Sequence, residues 1–180
     1  MTARVSPGRV RRAGKWAAAL LVAFGAQGRA DVLRSDALPL DAFPREPLVV
    51  ETRSARRHEF DAWRADTPVT REQGLMFVPH IEPDRAMFFV YAPPARVSMW
   101  MKNTLIPLDM LFVDSAGCVL TIVHDAEPQS LALIRSPGAV ALVVELAGGV
   151  ADALGLRPGD RVTLPVTGWP RARAACPAQP

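Results

Sequence analysis

The feature that most constrains this chain is a succession of short β-forming runs, each stopped by Pro, Gly, Asp or Ser. "PLVVETR" (47–53) and "HEFDAWRA" (58–65) come first. "RAMFFVY" (85–91), "ARVSMWM" (95–101), "LDMLFVD" (108–114), "CVLTIVH" (118–124), "AVALVVEL" (139–146) and "RVTLPV" (161–166) follow. Runs of this length, rich in Val, Ile, Phe and Met and broken by turn residues, read as strands. About eight strands with little helix predict a mainly β fold, a single compact β-sandwich or barrel-like domain. Within "LDMLFVD", Leu108, Met110 and Phe112 alternate with Asp109, Leu111 and Val113, so one face carries a carboxylate among apolar neighbours. "SAGC" (115–118) then predicts a hairpin, with Gly117 free to take the left-handed turn position.

Two short helices are expected. In "DTPVTREQGLM", Thr67 suits the N-cap, Pro68 the first helical position and Gly74 the stop. In "GGVADALGLRPGD", Val150–Leu154 can form a turn or two ending at Gly155, and Pro158-Gly159 supports a type II turn. The domain is placed at 48–166, with a linker over 31–47 and a flexible Pro/Ala-rich tail over 167–180.

Residues 1–30 read as an export signal. Arg9, Arg11, Arg12 and Lys15 precede the apolar run "WAAALLVAFGA", and Gly28 and Ala30 place a cut before Asp31. The run is short for a membrane span, so an uncleaved anchor is the competing reading. A periplasmic or secreted protein with no stable membrane span after cleavage is expected. That segment holds six of the 21 basic residues and none of the 18 acidic ones. The remainder carries 15 basic against 18 acidic groups, a formal charge of −3, which removes the main sequence argument for nucleic-acid binding. An oxidising compartment permits a Cys118–Cys176 disulfide. The alternative is a small buried Cys118 and an incidental Cys176 in the tail.

The segment "MWMKNTLIPLDMLFVD" holds the sole asparagine, Asn103, beside Lys102, one of only two lysines. Together with "REQGLMFVPHI", "MFFVY" and "VVELAGGVADALGLRPGDRV", it resembles the domain of unknown function 192 family over most of 48–166. The resemblance implies a compact, mainly β, sandwich-like domain in a bacterial and archaeal family whose members are often exported; it implies no reaction. The matching positions are Gly74, Leu75, Met76, Trp100, Met101, Lys102, Asn103, Thr104, Pro107, Leu108, Asp109 and Glu145.

Among these, Lys102, Asn103, Thr104, Asp109 and Glu145 set polar groups beside apolar strands. A buried carboxylate there costs several kcal/mol unless it is paired or hydrogen-bonded. Lys102 is the nearest cation in sequence to Asp109, so the two are expected in one hydrogen-bonded cluster with Asn103, at the edge of the core. As a binding site this region, walled by Trp100, would hold a small ligand or another envelope protein. Equally, the cluster could lock a loop across the sheet. Two further classes compete. One is a small envelope hydrolase using Asp109 or Glu145 as acid or base. The other is a copper-binding protein using Met76, Met87, Met99, Met101 and Met110, for which core packing is the better reading. No catalytic residue, metal site or cofactor is assigned, since no G-x-S-x-G, H-E-x-x-H, phosphate loop or C-x-x-C occurs.

Overall fold

The computed structural model describes residues 1–2, 37–170 and 175–177. The proposed signal segment therefore lies, but for its first two residues, outside the described part. Strands β1 (Arg45–Glu51), β2 (Arg57–Ala65), β3 (Arg85–Ala95), β4 (Ser98–Met99), β5 (Leu108–Val113), β6 (Val119–Ala126), β7 (Ile134–Arg135), β8 (Val140–Ala147) and β9 (Arg161–Thr163) carry the fold, with helices α1 (Pro68–Gln73) and α2 (Val150–Leu154). All eight expected runs contain a strand, although "ARVSMWM" contributes only the two residues of β4. The addition is β7, equally short, which pairs with β4 as a separate ribbon.

Seven strands form one sheet in the order β6-β5-β8-β3-β2-β1-β9. Only β2 and β3 run parallel, because α1 and its flanking loops supply the long crossover a parallel pair needs. The sheet curls until its outer strands meet: Cys118 bridges Arg161, Val119 N–H donates to the Asp160 carbonyl at 2.9 Å, and Val162 N–H donates to the Gly117 carbonyl at 2.8 Å. The result is a half-barrel. The Cys118–Cys176 disulfide is formed and sits on this seam.

Strand alternation sorts the core into two layers. Phe60, Phe88, Leu111, Val144 and Leu146 fill the concave interior, which α2 closes through Val150 and Ala151. Met87, Phe89, Met110, Phe112 and Val143 lie on the convex face beneath Leu75, Met99 and Met101. The central strands β3, β5 and β8 are thus buried on both sides, which is why they read as nearly unbroken apolar runs.

Both helices end at the glycines their sequences predict, although Gly74, with ψ −134°, lies outside the left-handed region expected for it. Thr67 and Thr70 exchange side-chain and backbone hydrogen bonds in a capping box, and Gly74 takes a positive φ of 50°. Gly155 closes α2 in the left-handed region. The described residues of both flanks contact the domain. In the supposed linker, Leu38 exchanges two 2.6 Å hydrogen bonds with the Gln73 side chain, Phe43 is buried, and β1 already begins at Arg45. In the supposed loose tail, Trp169 pairs with Leu164, Pro170 is buried, and Cys176 is fixed covalently.

Candidate functional site

The convex face carries a cavity of about 300 Å³ between the sheet, α1 and the 98–104 segment. Its floor is Glu145. In β8, Glu145 stands opposite Met87 of β3 on one side and Met110 of β5 on the other. The side chain is 4% exposed, and Oε2 has no hydrogen-bond partner among the described residues. Burial pushes its pKa from the usual 4.5 up to about 8. At neutral pH the group is therefore a neutral acid, able to donate a hydrogen bond.

Around it stand Tyr91, Phe89, Trp100, Met76, Met99 and Thr104. Tyr91 donates its hydroxyl to Met99 Sδ at 3.6 Å. Its pKa is raised to about 12, chiefly by burial, with the Arg71 charge opposing and Glu145 adding to the rise. Arg71, also in the wall, places its guanidinium 5.5 Å from the Tyr91 ring centroid. Its Nη1 donates to the carbonyls of Asp66 and Val90 at 2.7 and 3.1 Å. Gly74 belongs to the same wall. A Cβ there would come within 3.0 Å of the Phe89 ring, so its missing side chain and its positive φ both matter.

The outer wall is made by two loops tied together. Phe77 N–H donates to the Asn103 carbonyl at 2.9 Å, and Asn103 Nδ2 lies 3.8 Å from Met76 Sδ. Asn103 has φ 58°, a left-handed conformation that Asn tolerates better than most residues. Thr104 is buried and lines the cavity. Trp100, 40% exposed, stands at the rim. Lys102 is outside: its Nζ lies 5.0 Å from the Trp100 ring centroid, a cation–π contact open to solvent.

The expected Lys102–Asn103–Asp109 cluster does not form. Asp109 is fully buried on the concave side, where Oδ1 accepts from Asp125 N–H at 2.9 Å and Oδ2 from Ala151 N–H at 2.7 Å. Two backbone donors satisfy the carboxyl that a lysine was expected to balance, and they pin β6 and the start of α2 to β5. Of the six candidate residues, Trp100, Thr104 and Glu145 share the cavity, Asn103 buttresses its wall, Lys102 flanks it, and Asp109 belongs to the scaffold. Asp109 and Glu145 also cannot act as an acid–base pair on one atom. Residue 109 pairs with Leu146 and residue 110 with Glu145, so the two carboxyls leave opposite faces of the sheet.

Of the methionines, Met87, Met99, Met101 and Met110 are buried in one apolar cluster, and Met76 and Met99 touch the cavity. Among the described residues, no group of three or more His, Cys, Asp and Glu side chains is placed to hold a metal ion. Sequence reasoning missed Tyr91, Arg71 and Phe89. The available signal was that Tyr91 is the only tyrosine and, with Met87 and Phe89, occupies every second position of one strand.

No curated protein matches the chain. Solved structures do, two bacterial proteins among them. One, from Sinorhizobium meliloti and described as a proposed transcription regulator, is 42% identical, with 68% of this chain and 95% of that chain covered and a TM-score of 0.67. The other, from Novosphingobium aromaticivorans and described as a protein of unknown function, is 34% identical, with 71% and 90% covered and a TM-score of 0.67. The DUF192 family model, described as "Uncharacterized ACR", matches residues 49–164, from within β1 to just past β9. The chain belongs to the DUF192 family.

Proposed function

We propose that this protein is an exported, non-enzymatic binding module that holds a compact small molecule in the cavity above Glu145. The observation that carries this reading is the Glu145 carboxyl, buried with one oxygen unpartnered at the floor of a pocket. An unmet buried polar group costs roughly 1–3 kcal/mol, and a ligand that hydrogen-bonds to it recovers that cost. Export is supported by the basic and apolar character of residues 1–30 and by the Cys118–Cys176 disulfide, a bond that persists in oxidising compartments.

The walls specify the ligand's chemistry. Phe89, Tyr91, Trp100 and two thioethers favour a flat or apolar body. A protonated Glu145 favours a neutral acceptor, such as a carbonyl or amide oxygen, over an anion. The test is a thermal-shift screen of small aromatic amides and ketones at about pH 6 and about pH 9.5, on either side of the Glu145 midpoint. Wild-type protein is expected to gain stability with a subset of compounds at the lower pH and to lose that response at the higher one. Glu145→Leu should abolish the response. Compounds that stabilise Glu145→Leu as well as wild type would overturn the assignment.

A further inference from the structure

A second cavity, of about 490 Å³, opens at one end of the half-barrel. It shares only Tyr91 with the Glu145 pocket, because strand alternation sends most of its strand lining to the concave face. Phe88 and Leu142 belong to the concave core, and Val90, Leu164 and Trp169 pack with it. The wall is therefore mostly aliphatic and aromatic.

One part of the rim is charged. Glu46 of β1 is only 7% exposed, and its Oε1 lies 3.4 Å from Arg64 Nη1, a long contact. Its Oε2 is buried with no partner among the described residues. Arg64 is shared, since its Nε stands 3.0 Å from Asp66 Oδ2, an ion-pair contact without hydrogen-bond geometry. Two carboxylates thus share the Arg64 guanidinium; the neighbouring Arg71 guanidinium is spent on the Asp66 and Val90 carbonyls, so it leaves Glu46 Oε2 unmet. A ligand group that meets Glu46 Oε2 has to donate a hydrogen bond, and a cationic N–H donor answers the carboxylate's charge as well as its open valence.

We infer that the mouth of the half-barrel is a binding site for an apolar amine, with the ammonium on Glu46 and the hydrocarbon body against Phe88, Val90, Leu142, Leu164 and Trp169. An alkyl carboxylate of the same length places its charge against Glu46 and is rejected. An alcohol keeps the body contacts but cannot neutralise the site.

The test is isothermal titration of the full chain with octylamine, octanol and octanoate, each below its aggregation threshold. Octylamine is expected to saturate at one molecule per chain and to bind roughly tenfold or more tightly than the other two. Glu46→Gln removes the charge and should weaken octylamine by roughly tenfold or more while leaving octanol unchanged. Glu46→Gln also loosens the Arg64 contact, so a second variant guards against misfolding. Ser115→Trp alters an exposed residue at the rim and fills the mouth with Glu46 intact, and it should block octylamine too. Absence of saturable octylamine binding would overturn the proposal. So would equal affinity for octanoate, or undiminished octylamine binding in either folded variant.

Discussion

The Glu145→Gln substitution gives the buried carboxyl a measurable thermodynamic signature. In the unfolded chain Glu145 ionises at the usual 4.5, and in the folded protein at about 8. Between these values the native state holds a proton that the unfolded state has released. Stability therefore falls as pH rises through this window, by about 1.4 kcal/mol per pH unit. The contribution is fully favourable below 4.5 and fully lost above about 8. Across the window the loss approaches about 5 kcal/mol, comparable to the whole stability of many domains. Other carboxylates titrate in acid with the opposite sign, so the wild-type curve alone is not diagnostic.

Glu145→Gln keeps the side chain's shape and cannot ionise, so the difference between the two proteins isolates this group. Urea denaturation followed by tryptophan fluorescence at intervals from about pH 5 to about pH 8 should show the variant gaining roughly 4 kcal/mol relative to wild type. Beyond the upper end the difference should level off. Two parallel curves would refute the reasoning. They would mean that the carboxyl ionises normally in the folded state and that the cavity floor is not dry.

The remaining predictions concern the scaffold around that site. Asp109→Ala should cost roughly 1–3 kcal/mol in urea denaturation, because it strands the buried Ala151 N–H and releases the Asp125 N–H, whereas Asp109→Asn should cost less by keeping one acceptor. Replacing both cysteines by serine opens a crosslink spanning 58 residues and should lower stability by up to about 4 kcal/mol, read by the same assay. Asn103→Gly should be nearly neutral and Asn103→Ala should cost about 1 kcal/mol, because the left-handed backbone is the constraint. Lys102→Met should change stability by no more than about 1 kcal/mol, the worth of an exposed cation–π contact.

The elements were legible because each rests on local chemistry. Thr67-Pro68 and Gly74 frame α1, Gly155 ends α2, and the alternation in "LDMLFVD" correctly sets Asp109 opposite Leu108 and Met110. The site was only half legible, because it depends on strand pairing. Placing β8 between β5 and β3 is what brackets Glu145 with Met110 and Met87, and nothing local encodes that order. Closeness in sequence misled at Lys102 and Asp109. The intervening 103–107 turn leaves the lysine on the surface, and the strand then carries the carboxylate to the far side of the sheet. Backbone donors from Asp125 and Ala151, distant in sequence, supply the compensation that seemed to require a cation. The two-residue strand β7 had no run to announce it, and it exists only because β4 offers a partner.

Crystallography of the protein soaked with compact aromatic amides tests the central claim most directly. A bound fragment is expected between α1 and the convex sheet face, with its carbonyl oxygen accepting a hydrogen bond from Glu145 and its ring against Trp100 or Tyr91. Fragments that occupy other surfaces while this cavity takes none, or that enter it without approaching the Glu145 carboxyl, would contradict the account.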